Sequence, residues 1–482
     1  MAFHGCGRVP YRLRIHFRIG QTFRNNYARR MKALPCGARP AMKQGEEPLS
    51  FRDIPPEDWN NWKWQLKHAV TSLEELRKFG RFSEEELLRL ERVSQKYPFI
   101  IPPYYLSLID FNNPEDPIRL QSFPALEEVE SVRSGEEDPL SEEEDMAVPG
   151  LVHRYPDRVL MQITDMCPMF CRHCTRKREW EDGNWARDDM EIDRMMDYLS
   201  KTKQVRDVLI SGGDPLILTT KRLEYVLKKL RAIPHIEIIR FGTRFPVCLP
   251  QRIDEELVFM LKQYRPLWVN THFNHPREIT REAREACDKI LCAGIPMNNQ
   301  TVLLKGVNDS VEIMTRLCHE LVKMGIRPYY LYQCDPVSGT EHLRTSVWKG
   351  IEIIEGMRGH TTGFAVPSFV VDAPGGGGKI PLGPQYLIAG GEDYVVLRNY
   401  EGLMVRYEFP KDDASGRWNQ TPMFCSVSER LKRREARQTD VSPAQEPNIA
   451  SRSRDGSAEP TARCRLNKRP AAARPTGTLL PL

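Results

Sequence analysis

No stretch of this sequence approaches the roughly eighteen consecutive apolar residues that a membrane-spanning helix needs. The first residues also lack the apolar core of a secretory signal. A soluble protein with no membrane partner is therefore expected, with the cytoplasm as its compartment. The 12 cysteines form no compact, evenly spaced framework. That excludes a disulfide scaffold and suits a reducing compartment, where thiols stay free to hold metal. From Met1 to Gln44 acid is missing altogether, while Arg8, Arg12, Arg14, Arg18, Arg24, Arg29 and Arg30 accumulate. The composition is that of a transit peptide. A plainer reading is a weakly structured extension from an upstream start, with Met31 and Met42 as later starts. The formal charge of +5 sits at the ends of the chain, so no nucleic-acid partner is expected.

What is present suits one large catalytic domain with flanking segments, since 40% of the 482 residues are hydrophobic. Residues 1–50 are expected to be a disordered basic extension, and residues 51–150 a helical lead-in with an acidic connector. Residues 151–390 form the catalytic domain and residues 391–427 a C-terminal strand and dimerisation segment. The Arg-, Ala-, Pro- and Ser-rich residues 428–482 form a disordered tail. From Pro55 to Leu108 the apolar spacing is helical, carried by Trp59, Trp62, Trp64, Leu66 and the run SEEELLRLERV. Glu127 to Asp145 is so acidic that it reads as a solvated connector rather than a site.

From Arg158 onward seven apolar runs alternate with amphipathic segments: VLMQIT, DVLISGG, IEIIRFGTR, LWVNTHF, IPMNNQTVLL, RPYYLYQCD and PSFVVDAP. A repeat of roughly 30 residues is that of βα units on a parallel sheet. The fold class is therefore α/β, an open partial (β/α) barrel, because a closed eight-stranded barrel needs more units. Cys167, Gly212, Arg244, His272, Gln300, Asp335 and Asp372 fall at or just beyond the strand ends. In parallel barrels that rim carries the active site.

Cys167, Cys171 and Cys174 are spaced C-x3-C-x2-C. Three thiolates on a [4Fe–4S] cluster leave one iron open to bind a small molecule. The competing reading is zinc with His173 as fourth ligand, but zinc sites usually arrive as paired knuckles, and no second cysteine pair is present. Cys248, Cys287, Cys292, Cys318 and Cys334 stand singly and read as small hydrophobes. Ser211, Gly212, Gly213 and Asp214 follow a strand, which is either a tight turn or a backbone approach to a cofactor that a Cβ would block. Lys379 follows four glycines, Gly375 to Gly378. It is either a surface lysine on a loose loop or a Schiff-base lysine for pyridoxal phosphate (PLP), whose imine chemistry a partly desolvated pocket favours. Asp335 and Asp372 each end a strand, as caps or as two carboxylates converging on a cationic group.

In the same order along the chain, HRYPDRVL, ITDMC-x3-CRHCTR, QVRDVLISGGD, THFNHP-x-EIT, NQTVLLKGVND, RPYYLYQCD, KGIEIIEGMRGHT and FVVDAPGGGGK resemble the lysine 2,3-aminomutase family. These enzymes use radical S-adenosylmethionine (SAM) chemistry and PLP, and the likeness runs from about Phe51 to about Tyr407. It implies a homodimer or homotetramer and residue roles where the motifs match. Cys167, Cys171 and Cys174 would hold the cluster, Ser211, Gly212, Gly213 and Asp214 would lie at SAM, and Lys379 would take PLP. Arg154, Tyr155, Arg158 and Gln300 would line the PLP pocket. Arg176 would bind the substrate carboxylate, Asp335 and Asp372 the distal ammonium of free L-lysine, and Tyr332 would lie beside the substrate.

The implied reaction moves the amino group of L-lysine from C2 to C3, using an electron from a flavodoxin- or ferredoxin-type donor. A carboxylate facing two aspartates would be repelled, so glutamate is disfavoured. Arginine or a lysine on elongation factor P are the alternative substrates. A non-enzymatic iron–sulfur regulator would leave the glycine–lysine run unexplained. One departure is that Cys425 and Cys464 are widely spaced and Ser310 stands where clostridial-type relatives place a zinc cysteine, so no structural zinc is expected.

Overall fold

In the computed structural model, which describes residues 51–410 apart from 131–134, 181–184 and 392, the seven apolar runs become seven parallel strands. They are β3 (Arg158–Thr164), β4 (Asp207–Gly212), β5 (Ile238–Gly242), β6 (Leu267–Thr271), β7 (Met297–Leu303), β8 (Arg327–Gln333) and β9 (Ser368–Ala373). All pair in chain order. Antiparallel strands extend the sheet at both sides, β1 (Met146–Val148) and β2 (Leu151–Tyr155) before β3 and β10 (Gly378–Leu382) after β9. The ten-stranded sheet does not close by strand pairing. Instead, the Lys379 amide on β10 donates to the Tyr155 hydroxyl on β2 at 3.0 Å, so the two sides of the sheet meet through one side chain.

A single helix longer than eight residues bridges each pair of parallel strands: α2 (Asp189–Lys201), α3 (Thr220–Arg231), α4 (Glu255–Gln263), α5 (Arg281–Cys292), α6 (Val311–Lys323) and α7 (Val347–Met357). Five of the six start at an oxygen-bearing cap that accepts a first-turn amide: Asp188, Thr219, Asp254, Thr280 and Ser310. Each cap satisfies a donor with no intrahelical partner. In α3, Leu223, Val226, Leu227 and Leu230 are buried at i, i+3, i+4 and i+7, one face turned to the sheet. Each contributes about 1.5–3 kcal/mol by leaving water.

The helical lead-in is not one helix. Asn61, Ser72 and Ser83 cap and restart it, giving Trp62–Lys67, Leu73–Leu76 and α1 (Glu84–Lys96). Its Tyr104 and Tyr105 are fully buried against the barrel.

The acidic segment departs from expectation. Glu128 and Glu142 are buried rather than solvated, because cations meet them. Glu128 takes Arg172 at 2.6 Å and Lys177 at 2.7 Å. Glu142 takes Arg176 at 2.6 Å. Asp145 takes Arg154 at 2.7 Å. The segment clasps the barrel through these ion pairs.

A separate antiparallel sheet of β11 (Leu387–Gly390), β12 (Tyr394–Arg398) and β13 (Met404–Glu408) follows. It leaves Leu387, Leu403, Val405 and Tyr407 exposed. Among the described residues no helix is long and apolar enough to cross a membrane. The expectations for residues 1–50 and 428–482, and for Cys425 and Cys464, lie outside the described residues.

Candidate active site

The run DAPGGGGK folds as a hairpin turn, not a loose loop. β9 and β10 pair in a register that sets Lys379 directly opposite Asp372, so their side chains share a face. The Lys379 Nζ reaches Asp372 Oδ1 at 3.2 Å and lies 5.3 Å from the Tyr332 ring centroid. Gly378 has φ +85°, and a Cβ there would come within 3.0 Å of the Tyr155 hydroxyl. Glycine is required for that approach. Tyr332 lies on β8, and its hydroxyl accepts from Gln300 Nε2 at 3.0 Å. Burial, reinforced by Asp372, holds Tyr332 well above the ordinary phenol range. The Arg158 guanidinium stacks 3.7 Å from the centroid of Tyr155.

Asp335, just past β8, joins this group. Burial first, then the charge of Asp372, pushes its carboxyl up to about 7, against the pull of Lys379. Arg344 also pulls the carboxyl down, so Asp335 sits among the acids Asp372 and Glu142 and the cations Lys379 and Arg344. Lys379, Tyr332, Asp335, Asp372, Gln300, Tyr155 and Arg158 are thus brought together.

Arg154 and Arg176 are engaged elsewhere. Arg154 donates to Asp145 and to the carbonyl of Leu140. Arg176 grips Glu142 bidentately, at 2.8 Å from Nε and 2.6 Å from Nη2, and reaches the Gly212 carbonyl from Nη1 at 2.9 Å. Burial opposes the charge on Arg176, but Glu142 outweighs it and holds its pKa above the ordinary guanidinium value. Glu142 also adds to the field at Asp335. Nothing in the sequence singled out Glu142, one acid within an acidic run.

The three cysteines occupy the loop after β3. The Arg176 amide donates to Cys174 Sγ at 3.3 Å, and Arg244 Nη1 donates to Cys171 Sγ at 2.8 Å. Arg244 Nε and His173 Nδ1 are buried beside this loop without a hydrogen-bond partner. Buried donors seldom stay unpaired, so a polar group is wanted here. Among the described residues no three His, Cys, Asp or Glu side chains are set to grip one metal ion. A four-iron cluster, which gives each thiolate its own iron, fits this donor set.

The glycine turn serves this loop directly. A Cβ on Gly212, which has φ +118°, would meet the Thr164 carbonyl at 2.2 Å, and one on Gly213 the Met166 carbonyl at 2.3 Å. Ser211 is half-buried in β4. Asp214, expected at a cofactor, is committed within the protein: its carboxylate accepts from Thr243 Oγ1 at 2.7 Å, the Arg244 amide at 2.6 Å and the Leu216 amide at 3.1 Å. It fixes the turn that carries Arg244. Ser310 caps α6 through Ile313.

Comparison with known proteins agrees with this arrangement. Residues 161–318 match the radical SAM superfamily and residues 354–454 match the lysine-2,3-aminomutase family model. The L-lysine 2,3-aminomutase of Fusobacterium nucleatum is 55% identical over 362 residues, covering 75% of this chain and 85% of that protein. The enzyme of the same name from Bacillus subtilis is 51% identical over 75% of this chain and 77% of its own length. The glutamate 2,3-aminomutase of Clostridioides difficile is 43% identical over 76% of this chain and 86% of its own length. On identity of this extent, and with a parallel barrel that carries its cysteine loop and its lysine hairpin, the chain belongs to the lysine 2,3-aminomutase family of radical SAM isomerases, whose cofactors are a [4Fe–4S] cluster, SAM and PLP.

Proposed function

We propose that this protein converts L-lysine to L-β-lysine by moving the amino group from C2 to C3. The observation that carries the substrate is Asp372 on the Lys379 ammonium at 3.2 Å, with Asp335 near enough to feel the charge of both. A pocket lined by the carboxyls of Asp335 and Asp372 suits the distal ammonium of lysine and repels the side-chain carboxylate of glutamate.

When bound, the cluster and SAM supply a radical that removes a hydrogen atom, and PLP supplies a conjugated system that carries nitrogen between carbons. The chain's own residues hold, orient and exclude water. Cys167, Cys171 and Cys174 ligate the cluster, with the Ser211–Asp214 turn packed beneath their loop. Lys379 provides the amine for PLP. Asp335 and Asp372 would both face the incoming ammonium. Tyr155, held between Arg158 and the Lys379 amide, forms a wall of the PLP pocket. Arg158 would be its phosphate cation, joined by Arg154 if that side chain leaves Asp145. Gln300 fixes Tyr332 beside the substrate. Arg176 would meet the substrate carboxylate by exchanging part of its hold on Glu142 and the Gly212 carbonyl. The reductant is a one-electron donor of the flavodoxin or ferredoxin type, the compartment is the cytoplasm, and the assembly is a homodimer or homotetramer.

The test is an anaerobic assay of reconstituted protein with PLP, SAM, dithionite and L-lysine, with L-glutamate and L-arginine in parallel. β-Lysine that depends on both SAM and PLP is expected. Protein that binds cluster and PLP yet leaves lysine untouched would overturn the substrate.

A further inference from the structure

Arg244 follows β5, and Asp214 fixes the backbone that presents it. Its guanidinium is buried. Nη1 donates to Cys171 Sγ at 2.8 Å, while Nη2 is anchored on the far side by Gln121 Oε1 at 2.6 Å and Glu278 Oε1 at 2.8 Å. Gln121 in turn accepts from Asn274 at 2.9 Å, and Glu278 accepts from the Tyr105 hydroxyl at 2.8 Å. The helical lead-in, through Tyr105 and Gln121, therefore joins the residues after β6 in gripping one cation. The grip leaves Nη1 on the sulfur and Nε without an acceptor in the protein.

We infer that Arg244 is a positioning residue that sets the reduction potential of the cluster through its hydrogen bond to Cys171. The reduced cluster carries one more negative charge than the oxidised one. A donor on a ligand sulfur, backed by a buried positive charge, therefore favours reduction. Glu278 offsets part of that charge, but it sits on the opposite nitrogen, so the group nearest the sulfur is the cation. The lead-in segment thereby acquires a function in electron entry as well as in packing.

The inference rests on the three cysteines being the cluster ligands, and the experiment separates the two. Reconstituted full-length protein, R244Q and R244K are titrated with dithionite under anaerobic conditions, with the reduced cluster followed by its paramagnetic resonance and iron and sulfide counted in each sample. R244Q is expected to hold the same iron content but a more negative midpoint. At a poise that keeps both mostly oxidised, the reduced fraction falls about tenfold, which is about 59 mV for one electron. R244K retains the charge but cannot hold Cys171, Gln121 and Glu278 together, so it should fall between. If R244Q loses its cluster on purification, the R244K midpoint decides. Full iron content with an unmoved midpoint overturns the inference. Wild-type protein without a four-iron cluster overturns the cysteine reading instead.

Discussion

Lys379 and Asp372 face each other across a β-hairpin, their Cα positions in register and their charged groups 3.2 Å apart. The pairing gives the site an internal cation in the place proposed for the substrate's distal ammonium.

Asp372→Asn should separate binding from assembly. Removing one member of a buried charge pair costs about 2–5 kcal/mol, so kcat/KM for lysine should fall by about 30-fold or more, mostly through KM. Cluster content and PLP absorbance should be unchanged. A variant with wild-type KM would remove Asp372 from the substrate site.

The pH dependence has a definite sign. Burial and Asp372 raise the Asp335 carboxyl to about 7, so below that pH it takes up a proton and loses its attraction for an ammonium. A bound cation stabilises the ionised form and lowers that pKa, so binding releases a proton. KM for lysine should therefore fall as pH rises from 6 to 8, and Asp335→Asn should flatten the slope. An equal slope in the variant would assign the titration to another group.

Lys379→Ala should leave the iron content intact and abolish turnover, because the amine that holds PLP is gone while the cysteine loop is untouched. Ultraviolet–visible spectra should retain the cluster absorption and lose that of covalently bound PLP. Full activity in this variant would dismiss the PLP assignment.

The sequence disclosed the seven strands because apolar runs of strand length recur between amphipathic helices, a local signal. It also disclosed the cysteine spacing, which is local too. Convergence was not legible. Asp335 and Asp372 are brought together because they lie at the ends of β8 and β9, which pair as parallel neighbours, a relationship no short window contains. Glu128 and Glu142 were misread for a related reason: composition describes the acidic run as a whole, whereas burial belongs to those members that meet Arg172, Lys177 and Arg176. Likewise Arg244 was visible only as a residue at a strand end, since its partners Gln121 and Glu278 lie far away in the chain.

Glu128 offers a stability test beneath the cysteine loop, whose Arg172 it holds. Burial alone would raise its carboxyl, but Arg172 and Lys177 outweigh burial and hold it below the usual range. Burial pushes Lys177 down to about 8 against the pull of the same carboxylate. Arg172, with the bidentate contact, is thus the principal partner and Lys177 the surplus cation. Glu128→Gln leaves two buried cations uncompensated and should destabilise the fold by about 3–5 kcal/mol, read as a lower denaturant midpoint. A change below about 1 kcal/mol would mean that water or a shifted side chain takes over the role.

The β11–β13 sheet carries the last prediction. Val405 and Tyr407 lie two residues apart on β13, on one face of a three-stranded sheet, and are 44% and 59% exposed; Leu387 and Leu403 are exposed nearby. A three-stranded sheet with little packing on either face has weak independent stability, and contiguous apolar exposure of this kind marks a protein contact. The expectation is that a second copy of the chain covers this sheet and supplies the missing burial. The double variant Val405→Lys, Tyr407→Lys should lower the mass measured by light scattering to that of a smaller assembly while leaving the iron content intact. An unchanged mass would mean that the subunits meet through another surface.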